Sequence, residues 1–442
     1  MKNVNLFSKI NHFQIFLLLF LLAWQPQDVL SQFANGADVG WLSEMEVKDY
    51  EFYNDEGIKK NCLEILQEHG INSLRFRVWV NPRNGWCGKK DVASMAHRAD
   101  SMGFRVMLDF HLSDTWADPG NQNKPASWAN HTVAELITDV YNHVYDVLDT
   151  LKTIGIIPAW VQIGNETNDG TLWEDGRAST HMKNFADIIN SGYDAAKAID
   201  STIQVIVQLS NGHDKSMFRW MFDGLKNNGA KWDIIGMSVY PYWANLPWAE
   251  DNEKSLETMQ DMITRYQTQV MVCEAGYLYN QPTTAYNYLV DLIRKTKSVG
   301  GLGVFYWEPE CYNWRGYNMG AWDPVTKKPT IALDAFLDTL YTAFSSDQNV
   351  PNNFGINIYP NPFNNQTRIE YRLENPGKVK IRIFNSSGQL VTTLVNQYQT
   401  FGLHSVNWSG YNDSGISLSS GIYYIKLITD NRSQTKKALL IK

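Results

Sequence analysis

Short apolar segments recur between residues 33 and 340, each followed by a longer stretch with apolar residues at helical spacing, and this alternation limits the fold more than any other feature. Candidate strands are Ala34–Gly40, Ser73–Val80, Phe104–Phe110, Trp160–Gly164, Gln204–Leu209, Ile234–Tyr240, Gln269–Glu274 and Gly303–Trp307. Helical stretches between them include Gly57–His69, Asp91–Met102, Thr132–Ile154, His181–Ile199, Ser255–Gln267 and Thr284–Ser298. Parallel strands need a crossover helix to return, so eight such units in about 300 residues predict an α/β fold, a (β/α)8 TIM barrel. An open doubly wound sheet would more often carry a glycine-rich phosphate loop after its first strand, and no such loop follows here.

In a barrel of this kind the polar residues at the C-terminal ends of the strands form the active face. They are Asp38 after the first strand, Arg75 and Arg77 in the second, and His111, Asp114 and Asp118 after the third. Asn165 and Glu166 follow the fourth, Tyr240 and Tyr242 the sixth, Glu274 closes the seventh, and Trp307 and Glu308 end the eighth. Two segments share one design: Pro158-Ala-Trp-Val-Gln-Ile-Gly-Asn-Glu166 and Gln269-Val-Met-Val-Cys-Glu-Ala-Gly276 are apolar runs that end in a glutamate. A carboxylate there is costly to desolvate without a partner or a task. Two of them, each ending a strand, suit a retaining glycosidase, with one carboxylic acid of raised pKa and one ionised nucleophile about 5–5.5 Å away. Arg75, Arg77 and Trp79 share one face of their strand, which predicts a cation that keeps a carboxylate ionised. Strict alternation places Cys273 on the face opposite Glu274, as a buried thiol.

His111, Asp114 and Asp118 are hard-ligand types, but hydrogen bonding to sugar hydroxyls and ordering of their own loop account for them more simply, so no metal is assigned. The chain has 16 Trp, 22 Tyr and 19 Phe, an excess that suits the flat apolar faces of sugar rings as well as a large core. A net charge of −7 argues against nucleic acid as a partner.

At the N-terminus Lys2 and Lys9 precede an apolar stretch from Phe13 to Trp24, and residues 1–31 read as a signal peptide. Export would allow Cys62, Cys87, Cys273 and Cys311 to oxidise, with three pairings open. The barrel is assigned to residues 32–343 and a polar linker to 344–354. Residues 355–442, rich in β-branched residues with turns at Asn361-Pro362, Asn385-Ser-Ser-Gly388 and Asn412-Asp-Ser-Gly415, predict a small β-sandwich with strands Thr367–Leu373, Lys378–Phe384, His404–Trp408 and Gly421–Thr429.

Six ordered motifs resemble glycoside hydrolase family 53, the arabinogalactan endo-β-1,4-galactanases: Gly36-Ala-Asp38, Asn72-Ser-Leu-Arg-Phe-Arg-Val-Trp-Val-Asn-Pro82, Leu108-Asp-Phe-His-Leu-Ser-Asp-Thr-Trp-Ala-Asp-Pro119, Val161-Gln-Ile-Gly-Asn-Glu166, Ile235-Gly-Met-Ser-Val-Tyr-Pro-Tyr242 and Val272-Cys-Glu-Ala275. The resemblance implies a retaining enzyme acting on β-1,4-galactan, with Glu166 as acid/base and Glu274 as nucleophile. It implies that Asn165 binds the hydroxyl beside the reacting carbon, Tyr240 supports the nucleophile and Trp307 floors the reacting subsite. Other retaining endo-β-1,4-glycanases, acting on mannan or glucan, would keep both glutamates. A glycan-binding protein with a dead barrel is the non-enzymatic alternative. Asp38, Arg75, Arg77, His111, Asp114, Trp116 and Tyr242 complete the expected substrate-binding set, and Trp243 and Trp314 are further candidates for reading the sugar's hydroxyls. Leu112, where the family often has an aromatic residue, and Cys273 are the departures. No cofactor is expected; the resemblance allows a structural calcium near the eighth strand, for which no clear ligand set stands in the sequence.

The tail, through Ile358-Tyr-Pro-Asn-Pro-Phe363, Ser420-Gly-Ile-Tyr-Tyr424 and Lys436-Lys-Ala-Leu-Leu-Ile-Lys442, resembles the C-terminal type IX secretion sorting domain of certain Gram-negative bacteria. That implies secretion machinery as a partner and a protein secreted or held at the outer cell surface; separately, a monomer is expected. A carbohydrate-binding module is the alternative, with Trp408 and Tyr411 as stacking residues.

Overall fold

The structure, a computed structural model, describes residues 32–337, 355–373, 377–399, 402–413, 415–429 and 432–442. The expected signal peptide and linker lie outside the described residues. The chain divides into two compact units after Phe336.

The first unit is a closed ring of parallel strands: β1 (Ala34–Asp38), β2 (Ser73–Val78), β3 (Arg105–Phe110), β4 (Trp160–Ile163), β5 (Gln204–Leu209), β6 (Ile234–Val239), β7 (Gln269–Ala275) and β8 (Gly303–Trp307). β1 pairs with both β8 and β2, which closes the ring. Helices α1 (Cys62–Glu68), α2 (Lys89–Ser101), α3 (Val133–Thr153), α4 (Ala178–Ile199), α5 (Lys215–Asn227), α6 (Trp248–Tyr266) and α7 (Pro282–Ser298) return the chain between strands. α3 shows how sequence sets such an element. Thr132 and Glu135 form a reciprocal cap at its start, worth about 1 kcal/mol, and Leu136, Val140, Val144, Val147, Leu148 and Leu151 bury one stripe. α5 is not among the helices expected from the sequence, although Phe218, Met221, Phe222 and Leu225 carry the helical spacing on its buried side.

Inside the ring the side chains stack in layers. The lower layer is apolar, with Ala34, Met107, Trp160, Ile206, Ile234, Met271, Cys273 and Phe305. Gly36 leaves room for Phe305, whose ring carbon lies 2.2 Å from where a Cβ would stand. Two residues further along, on the same face, Asp109 follows Met107, Gln162 follows Trp160 and Gln208 follows Ile206, and these three are fully buried. The apolar plug therefore carries a polar layer at the C-terminal end of the strands.

β7 breaks the alternation. Its pairing with β6 shifts register between Met237 and Ser238, from Val272 to Glu274, so Cys273 is an extra residue in a β-bulge. Cys273 belongs to the interior apolar layer while Glu274 meets Arg75 inside the barrel, so the two do not face opposite ways as alternation predicts. All four cysteines are buried free thiols.

The second unit packs two antiparallel sheets. One orders β9 (Gly355–Tyr359), β10 (Thr367–Leu373) and β13 (Gly402–Trp408), and the other orders β12 (Leu390–Gln399), β11 (Gly377–Phe384), β14 (Gly421–Ile428) and β15 (Ser433–Leu440). Ile356, Ile369 and Trp408 of the first sheet share one core with Ile381, Tyr423 and Ile425 of the second.

Candidate active site

After β4 the chain turns through two left-handed residues, Gly164 at φ 79° and Glu166 at φ 44°. A non-glycine residue in that region is strained by about 1–3 kcal/mol and persists only where its surroundings hold it. Here the Glu166 N–H donates to Gln208 Oε1 at 2.7 Å, and its carbonyl accepts from the Asn168 N–H at 2.8 Å. The turn brings out Glu166, partly exposed, and Asn165, almost buried. Asn165 is fixed on every side: Nδ2 donates to the Ala117 carbonyl at 2.8 Å, Oδ1 accepts from Arg75 at 3.1 Å, and its carbonyl accepts from Gln122 at 2.8 Å.

Across the mouth, Glu274 is 6% exposed. Arg75 Nη2 lies 2.9 Å from Glu274 Oε1, and the Tyr240 hydroxyl donates to Oε2 at 3.2 Å. The same guanidinium donates to Asp38 at 2.7 Å and to Asp109 at 2.8 Å. Arg75 is thus the cation beside a carboxylate that the face of β2 predicted. Arg77 instead binds Glu308, whose other oxygen accepts from the Trp41 N–H at 3.1 Å.

These surroundings separate the two glutamates chemically. Burial pushes the Glu166 carboxyl up to about 8; the negative Glu274 adds to the push, while the Ser238 hydroxyl and Arg75 oppose it. Burial raises Glu274 too and the negative Asp109 adds to the rise, but Arg75 is the strongest influence against it, joined by His111 and the Tyr240 hydroxyl, whose contacts favour the charged form. The pair therefore places a proton on Glu166 and leaves the charge on Glu274.

Several residues expected to touch substrate lie one layer deeper. Asp38, Arg75, Arg77 and His111 are 0%, 1%, 1% and 2% exposed, which leaves a sugar almost no surface to meet. His111 Nε2 faces Asp109 Oδ2 at 2.9 Å, and its Nδ1 accepts from the Ala117 N–H at 3.1 Å and from Trp79 at 3.2 Å. Asp114 accepts the Asn81 and Ala126 N–H groups, both at 2.9 Å, which ties its loop to the one after β2, and Asp118 accepts from Gly120 at 2.8 Å within its own loop. Trp314 is buried against Tyr50 at 5.2 Å.

The open surfaces are aromatic. Trp116 and Trp307 are partly exposed and 5.8 Å apart, with Trp41 against both at 5.4 and 5.3 Å. The Arg77 guanidinium backs the Trp116 ring at 4.5 Å. A cavity of about 220 Å³ opens beside them, lined by Trp41, Trp79, Trp86, Asp114, Trp116 and Arg315. Tyr242 and Trp243, 48% and 56% exposed, stand on the short helix Pro241–Ala244 after β6.

Among the described residues, Glu308, Glu310 and Cys311 alone bring three ligand-type atoms within 4.8 Å of one another. Glu308 already serves Arg77 and Trp41, and burial plus the adjoining Glu308 raise Glu310 far above the usual carboxylate range. Glu310 therefore favours its protonated form beside Glu308. Asp109, Gln162, Gln208 and Ser238 are absent from the expected site residues, although each is a polar residue within an otherwise apolar strand.

A family model described as Glycosyl hydrolase family 53 matches residues 34–341, and one described as FlgD Ig-like domain matches residues 361–433. A Neosartorya fischeri protein named probable arabinogalactan endo-β-1,4-galactanase A is 32% identical over 323 residues, 67% of this chain and 89% of that protein. A Cellvibrio japonicus arabinogalactan endo-β-1,4-galactanase is 32% identical over 310 residues, 62% of this chain and 79% of its own. A solved structure from a study of two fungal β-1,4-galactanases superposes with a TM-score of 0.64 at 25% identity, over 69% of this chain and 98% of that one.

Proposed function

This chain belongs to glycosyl hydrolase family 53, and we propose that it is an endo-β-1,4-galactanase that cleaves the β-1,4-galactan side chains of pectin with retention of configuration. The observation that carries the mechanism is the asymmetry of the glutamate pair: Arg75 and Tyr240 bind Glu274 directly, whereas Glu166 is pushed up to about 8. Glu274 attacks the anomeric carbon of a galactosyl unit as the carboxyl of Glu166 gives its proton to the departing oxygen, and a glycosyl ester forms on Glu274. The ester carries no charge, so the part of the upward push on Glu166 that came from Glu274 is gone and its proton is more easily lost. Glu166, now ionised, takes a proton from water, which attacks the ester and releases the sugar. Only the two carboxyls and water take part. Asn165, held by Arg75 and Gln122, is placed to meet the hydroxyl next to the reacting carbon, and the Trp116–Trp307 surface to floor the reacting sugar.

Incubating the purified protein with linear β-1,4-galactan, mannan, cellulose and xylan, and following the anomeric proton of the first product by NMR, tests this. Short β-configured galacto-oligosaccharides from galactan alone are expected. Cleavage of another polymer, or binding without new reducing ends, refutes the substrate or the activity.

We further propose that the second unit is a secretion address of the type IX kind on an exported protein. The Ig-like match and the terminal motifs support this, and Trp408 speaks against the carbohydrate-binding alternative, because it is 2% exposed and packs on Phe363 and Tyr423. Deleting residues 355–442 should leave galactan hydrolysis intact and, in a host with type IX secretion, trap the protein inside the outer membrane.

A further inference from the structure

Gln208 stands on β5 inside the barrel, fully buried between the two glutamates. Its side-chain carbonyl Oε1 accepts from the Glu166 N–H at 2.7 Å and from Gln162 Nε2 at 2.9 Å. Two donors on that oxygen fix the direction of the amide, because the flipped arrangement would set N–H against N–H. Nε2 is thereby aimed at Ser238 Oγ, 2.7 Å away, and reaches toward Glu274 Oε1 at 3.5 Å. The backbone carbonyl of the same residue accepts the Thr167 N–H at 3.0 Å and the Thr167 hydroxyl at 3.1 Å. Gln208 therefore grips two successive residues, Glu166 and Thr167, at the point where Glu166 adopts its left-handed conformation. Ser238 Oγ, having accepted the amide proton, has its own O–H left to give, and the Glu166 carboxyl is the group it faces.

We propose that Gln208 is the positioning residue that holds Glu166 in place to protonate the leaving oxygen, by holding its backbone amide and by turning the Ser238 hydroxyl toward its carboxyl. This rests on the reading of Glu166 as the acid. A misplaced acid harms only departures that need a proton, so the substrate's leaving group separates this role from a structural one. Galactan leaves as an alcohol and needs the proton; a 2,4-dinitrophenolate does not.

The experiment compares the full chain and its Gln208→Met variant on linear β-1,4-galactan and on a 2,4-dinitrophenyl β-galactobioside, reading the burst of dinitrophenolate to isolate formation of the glycosyl-enzyme. On galactan, kcat should fall by about 100-fold with KM changed by less than about twofold. The burst rate should fall by less than about fivefold. Gln208→Glu, which keeps an oxygen for the Glu166 N–H, should recover part of the galactan rate. Equal losses on both substrates, or a galactan rate near that of the unaltered protein, overturn the proposal. If Gln208→Met melts early, Ser238→Ala takes its place, with a smaller loss expected in the same leaving-group-selective sense and an equal loss again overturning it. Glu166→Gln run in parallel guards the premise: were it to lose both substrates equally, the assignment of Glu166 as acid would fail, whatever Gln208 does.

Discussion

Replacing Tyr240 with phenylalanine removes one oxygen from the site and little else. The ring is 7% exposed and packs on Trp243 at a centroid distance of 4.4 Å, contacts that phenylalanine keeps. What is lost is the hydroxyl's donation to Glu274 Oε2. At 3.2 Å this is long for an O–H···O bond, which places it at the low end of the range for bonds to a charged acceptor, about 1.5 kcal/mol. The bond favours the ionised carboxylate, so its loss raises the pKa of Glu274, and 1.36 kcal/mol per unit makes the rise about one unit. The nucleophile must be ionised, so the acid limb of the kcat/KM profile on galactan should move up by about one pH unit. The alkaline limb, set by loss of the Glu166 proton near 8, should stay within about 0.3 unit, because exchanging one uncharged side chain for another adds no charge near Glu166. At the optimum the loss should be no more than about tenfold. An acid limb that stays in place, or moves down, would refute the role of Tyr240 as a support for the charged form of Glu274.

Glu166 holds a proton up to about pH 8, against an ordinary carboxyl value of 4.5, so between those values the folded protein binds a proton that the unfolded chain releases, and stability falls as pH rises. Glutamine needs no such proton: Glu166→Gln should match the parent near pH 4 and melt higher near pH 8, by about 4 °C after discounting for its partial exposure, as differential scanning calorimetry would show. Arg75→Lys offers one ammonium to Asp38, Asp109 and Glu274 in place of the guanidinium fork. It should cost about 3 kcal/mol in urea unfolding and raise the acid limb of activity, since a single ammonium cannot keep the 2.9 Å contact to Glu274 while also serving Asp38 and Asp109, and so opposes the rise of the Glu274 carboxyl less. Cys62, Cys87, Cys273 and Cys311 are buried thiols with pKa values raised by burial, so a disulfide reagent should titrate none of them in the folded protein and four after unfolding.

The barrel was legible because its strands are buried on both faces, which forces uninterrupted apolar runs and leaves the few charged residues conspicuous. Glu166, Glu274 and Arg75 stood out for that reason, and the structure brings all three together. Local pattern failed where a residue's direction or partner is decided elsewhere in the chain. The bulge at Cys273 leaves no mark in the composition of β7, because an extra residue is defined only against the pairing with β6. Asp38, Arg77 and His111 occupy the expected strand ends, yet they are bound to buried partners, Asp38 to Arg77, Arg77 to Glu308 and His111 to Asp109, and only packing tells a supporting residue from a contacting one. In the second unit, β9, β12 and β15 went unread. β12 runs through Asn396-Gln-Tyr-Gln399 with most of its side chains at least partly exposed, so its alternation is weak.

Gln162 and Gln208 show where a closer reading had more to take. Each is an uncharged polar residue at the third or fifth position of an apolar strand, and an unpartnered amide buried there would cost about 1–3 kcal/mol. Two such positions on adjacent strands imply that they pay that cost jointly, and they do: Gln162 Nε2 donates to Gln208 Oε1 at 2.9 Å. The charged residues of a barrel strand mark what reacts; the neutral polar ones, two residues beyond the apolar layer, mark what holds the reacting groups still. In this chain the second set was as plainly written as the first, and it is the set on which the placement of Glu166 depends.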